Sequence, residues 1–213
     1  ETDLRKYTHQ TGHWKDERLK KYKLKGKKVP QNHLLLTTHT HLAVLSIIND
    51  PKQFEQELQI WDLYMKTMNK DGSFPLEADR GAKALMYTGR TIMGLLKLAH
   101  IAELQGIDLW SRTYKKDWQN LHHAISFFLD ALNKNKIIYK HAKINESAGS
   151  NKKYKEQEFK YFPTEISFYT YYKKKFPDHP NIKKFENLTF DKKTCKVPKK
   201  IRMKYCKSED QII

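Results

Sequence analysis

The apolar residues of this chain fall into blocks whose spacing is helical almost throughout. After Pro30, a run from His33 to Asn49 carries Leu34, Leu35, Leu36, Leu42, Val44, Leu45, Ile47 and Ile48. These residues go most of the way round a helix, the pattern of one buried on several sides. Asn49-Asp50-Pro51 reads as a stop and a restart, with Asp50 as N-cap and Pro51 at the first helical position. Phe54, Leu58, Trp61, Met65 and Met68 then alternate four- and three-residue steps, which places them on one face. Lys70-Asp71-Gly72 closes that helix, Gly72 supplying the left-handed cap, and an extended stretch Ser73-Phe74-Pro75-Leu76 leads to Arg80.

From Arg80 to Gln105 the pattern predicts a long helix through Leu85, Ile92, Leu95, Leu96, Leu98, Ile101 and Leu104, ended by Gly106. Residues 113–134 read as the next, with Trp118, Leu121, Ile125, Phe128, Leu129 and Leu132 on one side. Residues 140–160 are polar and read as a loop, and a last helix is expected over about 163–176. The polar N-terminal stretch has room for a short helix around Trp14–Tyr22. The stretch 177–213 reads as a basic, irregular tail. Glycine and proline are few and sit at the element ends, which favours helices over many short strands. The expected fold is therefore all-α: antiparallel helical hairpins in a single domain spanning 1–213.

Charge narrows the partners. The formal net charge is +17. A surplus of that size favours a polyanion, whether nucleic acid, anionic lipid or acidic polysaccharide, although solubility alone accounts for it equally well. No apolar run approaches the roughly 20 residues needed to cross a bilayer. The first residue is Glu1, which suggests a chain processed or cut from something longer, with any export signal removed. Cys195 and Cys206 form no CxxC pair, which argues against a zinc site. A disulfide between them would close a short loop and contribute roughly 3 kcal/mol; two free thiols fit the sequence as well. His39 and His41 stand two apart and His122 and His123 are adjacent, so neither pair chelates from one helix face. Tyr169 to Lys175 is an aromatic–basic cluster suited to stacking on sugars or bases, or simply to packing its rings and solvating its lysines.

Four residues have the chemistry for cleaving a polyuronate: Asn32, His33, Arg80 and Tyr87. Asn32 and His33 open a helix after Pro30, where free backbone N–H groups favour an anion. Arg80 and Tyr87 are seven residues apart, close to two helical turns, and so project from one face. A nearby Arg would favour the ionised form of the Tyr hydroxyl. Helix starts and Arg/Tyr pairs of this kind are common on ordinary helices, so spacing alone decides little.

The motifs around these residues decide more. Gln31-Asn32-His33 before a buried helix resembles the Asn-His element of mannuronate-type alginate lyases. Asp71-Gly72-Ser73-Phe74-Pro75-Leu76-Glu77, then Arg80 and Ala84-Leu85-Met86-Tyr87, resembles the stretch of that family carrying its Arg and Tyr, at the same spacing. Gln105-Gly106-Ile107-Asp108-Leu109-Trp110 and Tyr161-Phe162-Pro163-Thr164-Glu165 resemble two later segments, so the likeness covers roughly residues 14–176 in order.

The resemblance implies an (α/α) toroid and β-elimination on an acidic polysaccharide. Asn32 and Arg80 would neutralise the uronate carboxylate, His33 would assist or act as base, and Tyr87 would serve as base, acid or both. Neutralisation is essential, because an ionised carboxylate makes the neighbouring C5 proton very weakly acidic. Glu77, Arg90 and Tyr161 are expected to line the sugar-binding groove. The scheme requires no metal or other cofactor, and nucleic acid is not the expected partner. A secreted or periplasmic location would follow from the substrate.

Two departures stand out. Thr88-Gly89-Arg90 follows Tyr87 where the family usually continues with His, Asn and an aromatic. A full toroid also needs about six helical hairpins of roughly 40–47 residues each, and this chain supplies about three. The family's N-terminal half, with a further cationic subsite residue, is not in this sequence. An open half-toroid, a second chain completing the ring, or a fragment are the expected explanations. The remaining rivals are a non-catalytic basic helical protein that binds a polyanion, and a lyase of the same fold acting on glucuronate or glycosaminoglycan chains.

Overall fold

Two long helices joined by a tight turn begin the folded part of the chain. The structure, a computed structural model, describes residues 23–24, 27–28, 32–134, 136–142, 157 and 168–188, with the backbone alone at the first four and at His33. Helix α1 (Asn32–Ile47) buries Leu34, Leu35, Thr38, Leu42 and Leu45. Asn49 takes a positive φ of 54° in the turn, a conformation that Asn tolerates better than most residues. Helix α2 (Pro51–Thr67) then starts as expected: Pro51 leads, and the Asp50 side chain accepts a hydrogen bond from the Gln53 N–H at 3.0 Å. Its buried face, Phe54, Leu58, Trp61 and Met65, follows the predicted stripe.

Gly72 turns the chain with φ +90°, and a Cβ there would lie 2.6 Å from the His123 carbonyl oxygen. Only glycine meets both demands. A single helical turn, α3 (Pro75–Ala78), and a 3-10 turn (Gly81–Lys83) lead into α4 (Ala84–Leu104). The long helix therefore starts at Ala84, four residues later than the periodicity from Arg80 predicts. Gly106, at φ +75°, ends it, with the Ile107 N–H donating back to the Ala102 carbonyl at 2.9 Å. Helix α4 packs against α1 and comes close to it at Gly94, where a Cβ would lie 2.7 Å from Leu35 Cβ.

Helix α5 (Leu121–Asn133) is shorter than the predicted 113–134. Asn120 caps it, accepting from the His123 N–H at 2.9 Å, and Trp118 stays in the preceding loop with its ring edge-on to His123. Helix α6 (Lys136–Ala142) stands where a polar loop was expected to begin, held by buried Ile138 and Ala142. Of the helix expected over 163–176, the described part is α7 (Tyr169–Lys175).

The expected irregular tail contains α8 (Pro180–Glu186). His179 caps it by accepting the Asn181 N–H at 3.1 Å, and Ile182 and Phe185 are buried. The excess of lysine hid this short amphipathic helix. The remainder of that tail with Cys195 and Cys206, the stretch Trp14–Tyr22 and Tyr161 lie outside the described residues.

Among the described residues the fold is all-α apart from a two-residue antiparallel ladder, Lys23–Leu24 against Lys27–Lys28. One core runs through α1, α2, α4 and α5. Trp110, Tyr172, Phe176 and His179 gather round His122, which stacks on His179 at 4.4 Å between ring centres. Burial, then the neighbouring His179, pushes the His122 imidazole down to about 4. Lys173 and Lys175 pair with Glu186 and Glu103, so the aromatic–basic cluster is engaged in tying α7 to its neighbours.

Helix α1 departs from its sequence pattern on one side. It carries no Lys, Arg, Asp or Glu, yet Leu36, Ile47 and, just past its end, Ile48 are 52%, 83% and 55% exposed. No helix of the described residues is long and apolar enough to cross a membrane.

Candidate active site

The beginnings of α1 and α4 meet at α3, and this junction gathers the charged residues singled out in the sequence. Asn32 is the first residue of α1, and its backbone N–H is one of the donors a helix start leaves without an internal partner. That N–H donates to Glu77 Oε1 at 2.6 Å. The other carboxylate oxygen, Oε2, lies 3.0 Å from Arg80 Nε. The contact is an ion pair between a buried carboxylate and a guanidinium that solvent still reaches.

Arg80 continues the chain of contacts outward. Its guanidinium carbon lies 4.1 Å from the centre of the Tyr87 ring, and Arg90 approaches the same ring at 5.3 Å. Two cations over one ring make a positive patch. The Arg80 side chain remains 18% exposed, and Tyr87 and Arg90 are half-buried, so solvent reaches the patch.

Glu77 is different. It is completely buried and cannot touch a polymer, which corrects the expectation that it lines the sugar-binding groove. Burial pushes its carboxyl up from 4.5 to about 7, against the opposing pull of Arg80, the Asn32 N–H and Arg90. Near neutral pH the group of Glu77, Arg80 and Arg90 is therefore net positive. The Asn32 side-chain oxygen is also buried and accepts no hydrogen bond from the described residues, which is unusual for a buried polar atom.

Two further residues, absent from the sequence-based set, shape the junction. Gln157 donates to the Gly81 carbonyl at 2.9 Å and accepts from the Leu85 N–H at 3.1 Å. It thereby caps α4, whose Lys83 offers no side-chain cap. Nothing in the polar stretch around Gln157 signals this role. Asp71 anchors the other side of the Gly72 turn by accepting from Ser73 Oγ at 2.7 Å and meeting His141 Nε2 at 2.8 Å. Burial alone would raise the Asp71 carboxyl, but hydrogen bonds from His141, Lys140 and Ser73 outweigh it and hold the group well below the usual carboxylate range.

The structure thus brings together Asn32, Glu77, Arg80, Tyr87 and Arg90. His33 follows Asn32 on α1, but its side chain, like Tyr161, lies outside the described residues. No cluster of three or more His, Cys, Asp or Glu among the described residues is arranged to hold a metal ion. A hollow of about 440 Å³ beside Trp110, His122 and Lys175 lies past the far end of α4 and shares no residue with this group.

The described residues thus form an all-α fold with a cationic patch at a helix junction. The sequence matches the alginate lyase family over residues 2–138, and the chain belongs to that family. Among solved structures, a Tyr-to-Phe variant of alginate lyase A1-III complexed with tetrasaccharide is similar with a TM-score of 0.66 at 20% identity. That match covers 88% of this chain and 47% of the other. Alginate lyase A1-III from Sphingomonas species A1 matches with a TM-score of 0.61 at 21% identity, over 75% of this chain and 42% of that one. At such identities the likeness is one of fold. The chain spans less than half the length of these solved structures. Comparison with curated proteins gives no match.

Proposed function

We propose that this chain carries the catalytic junction of a polysaccharide lyase that cuts an acidic uronate polymer of the alginate type by β-elimination. The observation that carries this reading is the continuous contact chain from Asn32 through Glu77 and Arg80 to Tyr87. Arg80 is the group that would neutralise the uronate carboxylate; Asn32, expected to share that task, is buried at 4% exposure with its backbone N–H on Glu77, and stands behind it. With that charge met, the C5–H bond breaks, its electron pair forms the C4=C5 double bond, and the C4–O4 bond breaks. Tyr87, its ring close to the guanidinium groups of Arg80 and Arg90, takes the C5 proton, returns one to O4, or does both; His33 is the second candidate base.

The family membership and the similarity to structures of A1-III, one of them complexed with tetrasaccharide, support the polymer as substrate. Arg90, where the family usually has another residue type, adds a cation for a neighbouring sugar carboxylate. The rest of an (α/α) toroid, from a further stretch of polypeptide or a second chain, would supply the opposite wall of the groove. An extracellular polymer as substrate would go with a secreted or periplasmic location.

The test is ultraviolet absorbance of the unsaturated uronate after mixing the chain with polymannuronate, polyguluronate, polyglucuronate and glycosaminoglycans. Growth on mannuronate blocks supports the reading, and growth on glucuronate chains alone moves the substrate. Salt-sensitive binding without any absorbance change, which the +17 charge favours as the second reading, would make the protein a polyanion binder.

A further inference from the structure

Glu77 is buried in a place where burying a carboxylate is costly, and it touches both Asn32 and Arg80, the latter being the residue that the lyase reading aims at the substrate carboxylate. Asn32 and Arg80 stand on different elements, far apart in sequence. Glu77 holds the first by its backbone N–H, at 2.6 Å, and the second by charge, at 3.0 Å. Tyr87 supports the guanidinium of Arg80 from below, with 4.1 Å between the group and the ring centre. A neutral side chain at this position would keep the bond to Asn32 and lose the hold on Arg80. An apolar one would lose both.

We propose that Glu77 is a positioning residue of this site: its carboxylate ties the guanidinium of Arg80 to the start of α1 in one arrangement, so that Arg80 meets a uronate carboxylate in a fixed pose. The proposal rests on the lyase reading above. When substrate binds, Arg80 lies between two carboxylates, one buried behind it and one in the groove, with Tyr87 under its plane. Such a guanidinium is confined before the substrate arrives, and little reorganisation accompanies the reaction.

The arrangement depends on the charge of Glu77. The groups that face it are few. The start of α1 brings the Asn32 N–H, the turn before α4 brings Arg80, and Arg90 acts from farther along α4. Helix α6 also packs against α3, but Lys140 and His141 on it are turned to Asp71. Burial holds the Glu77 carboxyl near 7. Protonation there removes the charge that holds Arg80, so the site is assembled above that pH and loosens below it.

The experiment compares the wild-type chain with Glu77→Gln. The amide oxygen of Gln still accepts from Asn32, and circular dichroism checks the fold. On polymannuronate, kcat is expected to fall about 100-fold, as for a misplaced catalytic group, with KM changing much less. The acid limb near pH 7 is expected to vanish from the kcat/KM profile. An independent readout is the 15N resonance of Arg80 Nε, assigned with Arg80→Lys. In the wild type it should shift with pH with a midpoint near 7, and in Glu77→Gln it should not. Unchanged kcat and pH profile in a folded Glu77→Gln overturn the proposal. So does a wild-type Arg80 resonance that does not titrate, a result that needs no variant at position 77. Absence of unsaturated product from the wild-type chain overturns the lyase reading instead, and the Arg80 resonance then decides the Glu77 proposal.

Discussion

The guanidinium carbon of Arg80 sits 4.1 Å from the centre of the Tyr87 ring, and the two residues reach that contact from different elements. Arg80 precedes the 3-10 turn, while Tyr87 closes the first turn of α4. The ring serves Arg80 through its face, and the hydroxyl is the group that would transfer a proton. A cation–π pair partly shielded from water is worth about 1–2 kcal/mol, so ring and hydroxyl have separable jobs.

Tyr87→Phe separates them. The ring, and with it the seat of Arg80, is retained, and only the proton-transferring group is lost. Turnover should fall by about 100- to 10,000-fold, with oligosaccharide affinity within a few-fold of wild type. Isothermal titration with a mannuronate oligomer, beside the absorbance assay, measures both. Equal losses of binding and turnover would show a Tyr that only packs.

Arg80→Ala should behave unlike any surface lysine variant. Arg80 faces its partner in a partly desolvated setting, where charge-assisted bonds are screened less. The loss should be about 2–5 kcal/mol at every salt concentration. Neutralising exposed Lys174 should mainly flatten the salt dependence of polymer binding. If the deficit of Arg80→Ala disappears in high salt, Arg80 does not neutralise the carboxylate.

Stability should depend on pH through two carboxyls of opposite sense. Glu77, raised from 4.5 to about 7, binds its proton more tightly in the folded chain. Its contribution is fully present below 4.5 and is lost as pH rises through 7, about 3 kcal/mol in all. Asp71 is depressed below 3.8, so its contribution is present above that value and is lost as pH falls below it. Urea melts across this range should show Glu77→Gln flattening the fall toward pH 7. Asp71→Asn should lose about 2 kcal/mol at neutral pH. A stability of Asp71→Asn equal to wild type at neutral pH would remove Asp71 from the account.

Gly94 tests whether the packing of α1 on α4 sets the site. A Cβ at this position would lie 2.7 and 2.9 Å from Leu35 Cβ and Cδ1, so Gly94→Ala must push the two helices apart. Overpacking of this kind costs about 1–3 kcal/mol, readable in a thermal melt. Because Asn32 rides on α1 and Tyr87 on α4, turnover should fall in the remaining folded protein as well. Normal turnover with lowered stability would show that the junction adjusts independently of the helix contact.

Much of this architecture could be read from residue patterns. Asp50-Pro51, Gly72 and Gly106 mark the ends of helices because capping chemistry is local. The meeting of Arg80 with Tyr87 was also expected, but from a shared helix face. The contact is instead made across a 3-10 turn, which allows the guanidinium to fold back over the ring. Glu77 was misjudged because burial is a property of the packed junction, and an acidic residue beside Asp79 and Arg80 looks exposed in sequence. Gln157 was missed for the same reason: its two hydrogen bonds span more than seventy residues. Helix α8 escaped because Lys183, Lys184 and their basic neighbours outweigh Ile182 and Phe185 in any short window.

The uncharged side of α1 gives the chain an uneven colloidal character. Helices α2 and α4 carry charged residues among their exposed positions, so the +17 charge opposes contact between copies there more than along Leu36, Ile47 and Ile48. The Debye length is about 10 Å at 0.1 M salt and about 3 Å at 1 M. Raising the salt therefore removes the repulsion and leaves the attraction of the strip intact. Such a particle is best dispersed in dilute buffer and grows sticky in brine, the reverse of a protein held together by ion pairs. Light scattering along a salt ramp should show this growth, and Ile47→Lys, which sets a charge at the most exposed residue of the strip, should delay it.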